Sequence, residues 1–256
     1  ARFIVAFLCV SMFLPFKPLQ LKTAPWGLHL RRSVAGWCGI TFLFAAVMVM
    51  PLADANAISF LSVIVAMGLA VFMLRERAGP RRWSAACVAL LGALLITRPG
   101  TSAFQPAAML ALAAAVFMGF EVIFIKQLSG REPVFRILFI NNLFGATLSF
   151  VVIGFVWQTP TLAQWVLMGL IGSLMLFVQV ANIMAMQRGD ASFVAPFWYA
   201  VPAFAAFYDY LVFSSVVSLP SALGIALIVL GGVIISWREH VVKAETDKLA
   251  ETPSKQ

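Results

Sequence analysis

Apolar residues run along this chain in long blocks, and each block ends in charges, Pro, Gly or Asn. Runs such as Met109 to Ile125, in which Glu121 is the sole charge, and Ala222 to Ile235 are apolar on every side. Membrane β-strands would alternate apolar and polar positions over about 10 residues, so the pattern predicts helices. A helix crosses ~30 Å of hydrocarbon with ~20 apolar residues. On that measure nine spans are predicted, over residues 3–16, 33–50, 55–74, 83–98, 103–125, 134–157, 162–186, 191–213 and 219–237. The loops between them are short, with no soluble domain or linker. The mixed-charge segment 238–256 is expected to be a disordered tail.

Composition agrees with a lipid-immersed chain. Of 256 residues, 62% are hydrophobic and 11% charged, against about 45–50% and about 25% in soluble domains. The net charge of +8 follows from topology, because basic residues stay on the cytoplasmic side. With the loop carrying Lys17, Lys22, Arg31 and Arg32 inside, alternation also places Arg75, Arg77, Arg81, Arg82, Lys126, Arg131, Arg136, Arg188 and the basic residues of the tail inside. Only Arg2 and Arg98 fall outside, so 16 of the 18 basic residues share one face. That face meets anionic lipid headgroups, and nucleic acid is not needed to explain the charge. An integral protein of a bacterial inner membrane with its C-terminus in the cytoplasm is expected. Cys9, Cys38 and Cys87 lie inside apolar runs and read as small core residues.

An internal repeat organises the spans. Asp54-Ala55-Asn56-Ala57-Ile58 opens one span, and Asp190-Ala191-Ser192-Phe193-Val194 opens another 136 residues later. Leu91-Gly92-Ala93-Leu94 lies over Leu230-Gly231-Gly232-Val233 at an offset of 139, and Arg2-Phe3-Ile4 over Arg136-Ile137-Leu138 at 134. Matching spans are five crossings apart, an odd number, so the copies are expected upside down relative to each other. The expected fold is an all-α membrane protein of two inverted five-helix repeats, residues 1–100 and 101–237, with the first helix of the first repeat missing before Ala1. Inverted repeats recur in secondary transporters, where two halves pack in alternative ways around a midplane site.

The segment Pro51-Leu-Ala-Asp54-Ala-Asn-Ala-Ile-Ser-Phe60, the Arg75-Glu76-Arg77 after its helix, and Leu91-Gly92 through Arg98-Pro99-Gly100 resemble the first half of an EamA-type member of the drug/metabolite transporter superfamily. Arg188-Gly189-Asp190-Ala191 through Pro196, and Pro220 through Gly231-Gly232, resemble its second half. The resemblance implies ten helices, both termini cytoplasmic, and a central cavity with alternating access. Two departures stand out: relatives carry Phe-Gly-Glu where this chain has Phe213-Ser214-Ser215, and Glu121 and Asp209 replace neutral residues.

An acid within a bilayer span costs about 2.5–3.5 kcal/mol on insertion scales, so Glu121 and Asp209 call for a reason. Glu121 shares the cytoplasmic half of the membrane with Asn141, Asn142, Gln179 and Asn182. These residues are candidates for a polar pocket that binds an amine, with Glu121 also a candidate proton carrier. The competing reading is a snorkelling acid near Lys126, with amides that only join helices. Asp209, with Pro202, Ala205 and Ala206 on its helical face, is a second coupling candidate or a structural carboxylate facing Arg2. Asp54 and Asp190 are expected to cap the helices they open. Pro196 and Pro202 disturb their helix, which makes Trp198 and Tyr199 candidates to stack on a solute, with Trp37 as a facing wall. Trp26, Trp83, Trp157, Trp165 and Trp237 suit the interfacial belt.

Enzyme readings lack their parts, because His29 and His240 are predicted in a loop and the tail, where neither completes a protease site. No phosphate loop is present, and no cofactor or metal is expected. The resulting expectation is a secondary carrier for a small organic solute, exporting and proton-coupled. The alternative is a membrane scaffold or assembly subunit that transports nothing.

Overall fold

The computed structural model describes residues 2–12, 21–100, 108–156, 159–213 and 219–234, and among them every regular element is helical. The order is α1 Arg2–Ser11, a 3-10 turn Leu21–Thr23, α2 Trp26–Val49, α3 Leu52–Ser59, α4 Leu61–Met73, α5 Pro80–Thr97, α6 Ala108–Ser129, α7 Val134–Val156 and α8 Leu162–Arg188. Then come α9 Ala191–Val194, a 3-10 stretch Ala195–Tyr199, α10 Ala200–Phe213 and α11 Leu219–Ile234. Among the described residues, six stretches are long and apolar enough to cross a membrane: Trp26–Val49, Leu52–Met73, Ala108–Ser129, Val134–Val151, Leu162–Arg188 and Ala191–Tyr208. The expected span 83–98 forms α5, whose first turn carries Arg81 and Arg82, and the expected span 219–237 appears as the shorter α11. Residues 13–16 of span 3–16, residues 103–107 of span 103–125, the tail 238–256, Ser214-Ser215, Trp157, Trp237 and His240 lie outside the described residues. So do the side chains of Arg2 and Asp209, although Asp209 stands on α10.

Local chemistry sets the helix ends. Pro25 precedes α2 and Pro51 precedes α3, where a missing N–H costs nothing. Thr161 and Gln164 form a capping box on α8. The carboxylates expected to cap do something else. Asp54 lies within the first turn of α3, and its Oδ1 accepts from the Gly100 N–H after α5. Asp190 is the N-cap of α9 but makes no cap bond; it pairs with Arg82 at 3.1 Å. Glu76, arriving from the loop after α4, caps α9 in its place, with Oε1 accepting from Ala191 N–H at 2.8 Å and Oε2 from Ser192 N–H at 2.9 Å.

α6 is the central helix, packed against α2 and α4. Small residues make the approach possible: a Cβ on Gly39 would meet Met118 at 2.9 Å, and one on Gly119 would meet Val65 at 2.6 Å. α5 and α11 cross at Gly92 and Gly224, where a Cβ on either would lie 2.5 Å from the other's carbonyl oxygen. Further along, Gly231 meets the Ala85 carbonyl, so rising position on α5 pairs with falling position on α11 and the two are antiparallel. Around this core the outward faces are apolar. On α8, Trp165, Val166, Leu167, Leu170, Ile171, Leu174 and Phe177 are all exposed, a surface suited to lipid and not to water. Cys87 belongs to the exposed class, contrary to the core expectation, while Cys9 and Cys38 are half-buried.

Candidate functional site

Four helices bring the polar residues together. α6 supplies Glu121, α2 supplies Arg32 and Ser33, α7 supplies Asn141 and Asn142, and α8 supplies Gln179. Asn141 Nδ2 donates to Gln179 Oε1 at 3.1 Å, and its Oδ1 accepts from Ser33 Oγ at 3.4 Å. Asn142 Nδ2 donates to the Leu138 carbonyl at 2.8 Å and to Gln179 Oε1 at 3.4 Å, and Gln179 Nε2 donates back to Asn142 Oδ1 at 3.4 Å. Asn141 and Asn142 are buried and Gln179 is half-buried. Asn182 is half-buried on α8 and makes no side-chain hydrogen bond among the described residues. Three of the four predicted amides therefore form one network, and Asn182 stands beside it.

Glu121 does not pair with Lys126. Lys126 Nζ instead donates to the Met186 carbonyl at 2.9 Å and the Gly189 carbonyl at 2.6 Å, closing the C-terminal end of α8. Among the described residues Glu121 pairs instead with Arg32, whose Nη2 stands 3.9 Å from Oε1. The arginine side chain is 3% exposed and the glutamate 31%, so the acid faces open space while its countercharge is enclosed. Gly36 shapes this arrangement: a Cβ there would lie 2.8 Å from the Glu121 Cδ and Oε1.

The aromatic candidates divide. Tyr199 is fully buried, its hydroxyl donates to the Phe60 carbonyl at 3.1 Å, and its ring meets Phe60 edge-on at 6.1 Å. Phe60 marks the break between α3 and α4, and Tyr199 ends the 3-10 stretch between α9 and α10. Two broken spans thus touch at their breaks. Pro196, which lacks an N–H, accounts for the second break as predicted. Trp198 is 39% exposed on that stretch, and Trp37 is half-buried on α2; no ring contact joins them among the described residues. Next to the 3-10 stretch, a small apolar cavity of about 40 Å³ is lined by Pro196, Phe197, Ala200, Ala89, Ile228 and Gly232.

Sequence reasoning missed a second polar cluster. His29, predicted in a loop, is fully buried in α2. Its Nε2 stands 2.8 Å from Glu132 Oε2, and Glu132 Oε1 accepts from Arg136 Nη1 at 2.9 Å. The available signal was Pro25: a helix started there, and not at Ser33, carries His29 and Arg32 into the bundle.

Comparison with known proteins adds the family. The sequence profile of the EamA-like transporter family matches residues 1–98 and again residues 105–237. The chain is 25% identical to an S-adenosylmethionine uptake transporter of Rickettsia bellii, over 90% of this chain and 78% of that one. It is 32% identical to the pseudopaline exporter CntI of Pseudomonas aeruginosa, covering 80% and 70%, and 30% identical to a riboflavin transporter of Vibrio cholerae, covering 86% and 74%. A protein crystal structure superposes with a TM-score of 0.80 at 19% identity, over 94% of this chain and 86% of that one. That likeness concerns the fold alone.

Proposed function

The chain belongs to the EamA-like transporter family, and from that premise we propose that it is a secondary carrier exporting a small, amine-bearing organic solute by alternating access. The observation that carries this reading is Glu121: an acid on the central helix, 31% exposed beside a guanidinium that is 3% exposed, next to an amide network drawn from α7 and α8. A cationic group can take the exposed carboxylate without displacing Arg32. Asn141, Asn142, Gln179 and Asn182 offer the solute donors and acceptors. Trp198 offers a stacking surface and Trp37 on α2 a second one, while Tyr199 braces the 3-10 stretch through its tie to Phe60.

Several observations support two inverted repeats around this site. The family profile matches twice, over 1–98 and 105–237. The Gly92–Gly224 and Gly231–Ala85 contacts exchange under the offset of 139, as an internal twofold requires. The helices they join are antiparallel, as matching elements of inverted copies must be. The Phe60 and Ala195–Tyr199 breaks fall at corresponding places in spans 136 residues apart. Broken helices that meet are a recurring feature of carrier sites. Each tie described above, Glu76 to α9, Arg82 to Asp190, Lys126 to Gly189, His29 to Glu132 and Asp54 to Gly100, joins residues that the basic-loop pattern puts on the same face. The proposed orientation, in an inner membrane with loops 75–79 and 130–133 in the cytoplasm, rests on that agreement. For the direction, export is supported by the similarity to the pseudopaline exporter, against the similarity to an S-adenosylmethionine uptake transporter.

Purified protein in proteoliposomes, offered S-adenosylmethionine, riboflavin and amino-acid-derived chelators, tests the reading. Saturable flux is expected for at least one solute, with Glu121→Gln lowering it about tenfold or more, the equivalent of a lost interaction of about 1.4 kcal/mol. Flux of none of these solutes would favour the scaffold alternative.

A further inference from the structure

We propose that Glu76 and Arg82 form a latch that holds the carrier closed at the face bearing loop 75–79, and that its release opens the Glu121 site to that face. The proposal rests on the carrier reading above and adds which face is held shut and by which side chains.

The latch grips one turn of the second half from two elements of the first. Arg75 has a left-handed backbone, with φ 57°, and the Leu74 and Glu76 N–H groups both donate to the Ala70 carbonyl, at 3.0 and 3.2 Å. This turn ends α4 and sends Glu76 across to α9, where its two carboxylate oxygens take the Ala191 and Ser192 N–H groups. From the first turn of α5, Arg82 Nη1 donates to Asp190 Oδ2 at 3.1 Å and to Ser192 Oγ at 2.8 Å. Three consecutive residues, Asp190 to Ser192, are held in this way.

Exposure distinguishes a latch from a permanent staple. The Asp190 side chain is 46% exposed and that of Arg82 17%, so both regain water on parting, and ion pairs near water are weak. His29 and Glu132 join α2 to the α6–α7 loop at the same face, but their side chains are 0% and 2% exposed. Parting them would strand a buried charge, which is far more costly. That pair therefore stays closed, and the opening runs between the α4–α5 loop and the α8–α9 turn. The opposite end of the same segment supplies the pivot. Tyr199 is fully buried, and its hydroxyl donates to the Phe60 carbonyl where the two broken spans meet. Phe60 precedes α4 and Glu76 follows it, so α4 holds segment 191–199 at both ends. The 13 residues of α4 place pivot and latch about 20 Å apart.

The two faces are chemically unequal. Under the offset of 139 that relates α5 to α11, Glu76 falls on Ser215 and Arg82 on Ser221. In inverted copies those serines stand at the opposite face, where they supply hydroxyls and no charge. Asp54, the counterpart of Asp190, bonds to Gly100 of its own half. Charge-assisted bonds are about twice as strong as neutral ones, so closure at the loop 75–79 face is the resting state. A solute opens it only by binding the open form better.

The full chain in lipid nanodiscs tests this, with Cys9, Cys38 and Cys87 replaced by Ala. Nitroxide labels on Arg77→Cys and Arg188→Cys, both at exposed positions, straddle the latch, and labels on Leu52→Cys and Leu219→Cys, also exposed, straddle the opposite face. Double electron–electron resonance is expected to show one dominant distance across the latch. In Glu76→Gln with Arg82→Gln, a second, longer distance is expected to gain population several-fold, while the opposite pair does not lengthen. Arg82→Gln alone, which leaves Asp190 facing water, serves if the double variant does not fold. Latch distances that match the wild type make these ties simple staples and overturn the proposal, and so does lengthening of both pairs together, which is general loosening; either result leaves the carrier reading standing. Absence of wild-type flux in proteoliposomes for S-adenosylmethionine, riboflavin and the chelators overturns the carrier reading and the latch with it, whatever the distances.

Discussion

Glu121 owes its position to a side chain that is absent. Gly36 on α2 leaves the space its carboxylate fills, and a Cβ there would stand 2.8 Å from Cδ. Because the crowded atoms are the far end of a flexible side chain, Gly36→Ala is expected to swing the carboxylate aside at little cost to the fold. Stability should stay within about 0.5 kcal/mol of wild type, while flux in proteoliposomes falls about as far as in Glu121→Gln. The amide network responds in the opposite sense. Gln179 joins Asn141 and Asn142 through three hydrogen bonds, and such bonds between membrane helices average about 0.6 kcal/mol each. Gln179→Leu is therefore expected to cost about 1–2 kcal/mol in a detergent unfolding titration. An unchanged midpoint would show that the network contributes nothing to helix association.

At the scale of elements, the two spans that meet at Phe60 and Tyr199 are not continuous helices. The second break was legible, because Pro196 removes a donor from its own turn. The first was not: Asn56 through Phe60 contains no Pro or Gly, and the turn closes locally, with Ser59 Oγ donating to the Asn56 carbonyl at 2.8 Å and Val63 N–H to the Phe60 carbonyl at 3.2 Å. What holds it in place is Tyr199, 139 residues away. The cap of α9 escaped for the same reason. Asp190 had the right type and position, yet the cap comes from Glu76 across the bundle, and no local pattern reveals a partner supplied by another helix. Glu76→Ala leaves two amide donors at the start of α9 without their carboxylate. Charge-assisted bonds of this kind contribute about 1.5–3 kcal/mol, so thermal unfolding should move down accordingly. Glu76→Gln retains one acceptor oxygen and should lie between the two.

For the molecule as a whole, helical class and membrane character were legible because the lipid solvent imposes them on every stretch of the chain. The candidate site was legible only in part. Glu121, Asn141, Asn142 and Gln179 advertise themselves as polar residues in apolar runs, whereas Arg32, His29 and Glu132 looked like ordinary loop residues. The handedness of the repeat has the sharpest consequence at this scale. Leu52 and Arg188 are 136 residues apart, both exposed, at matching positions ahead of the two broken spans. Copies that run parallel would put them on one side of the membrane, and inverted copies put them on opposite sides. With Cys9, Cys38 and Cys87 replaced by Ala, Leu52→Cys in intact cells is expected to react with a membrane-impermeant maleimide. Arg188→Cys is expected to react only after the membrane is opened. If both react from outside, the paired contacts at Gly92–Gly224 and Gly231–Ala85 do not reflect inverted halves, and the proposed alternating access by their exchange loses its basis.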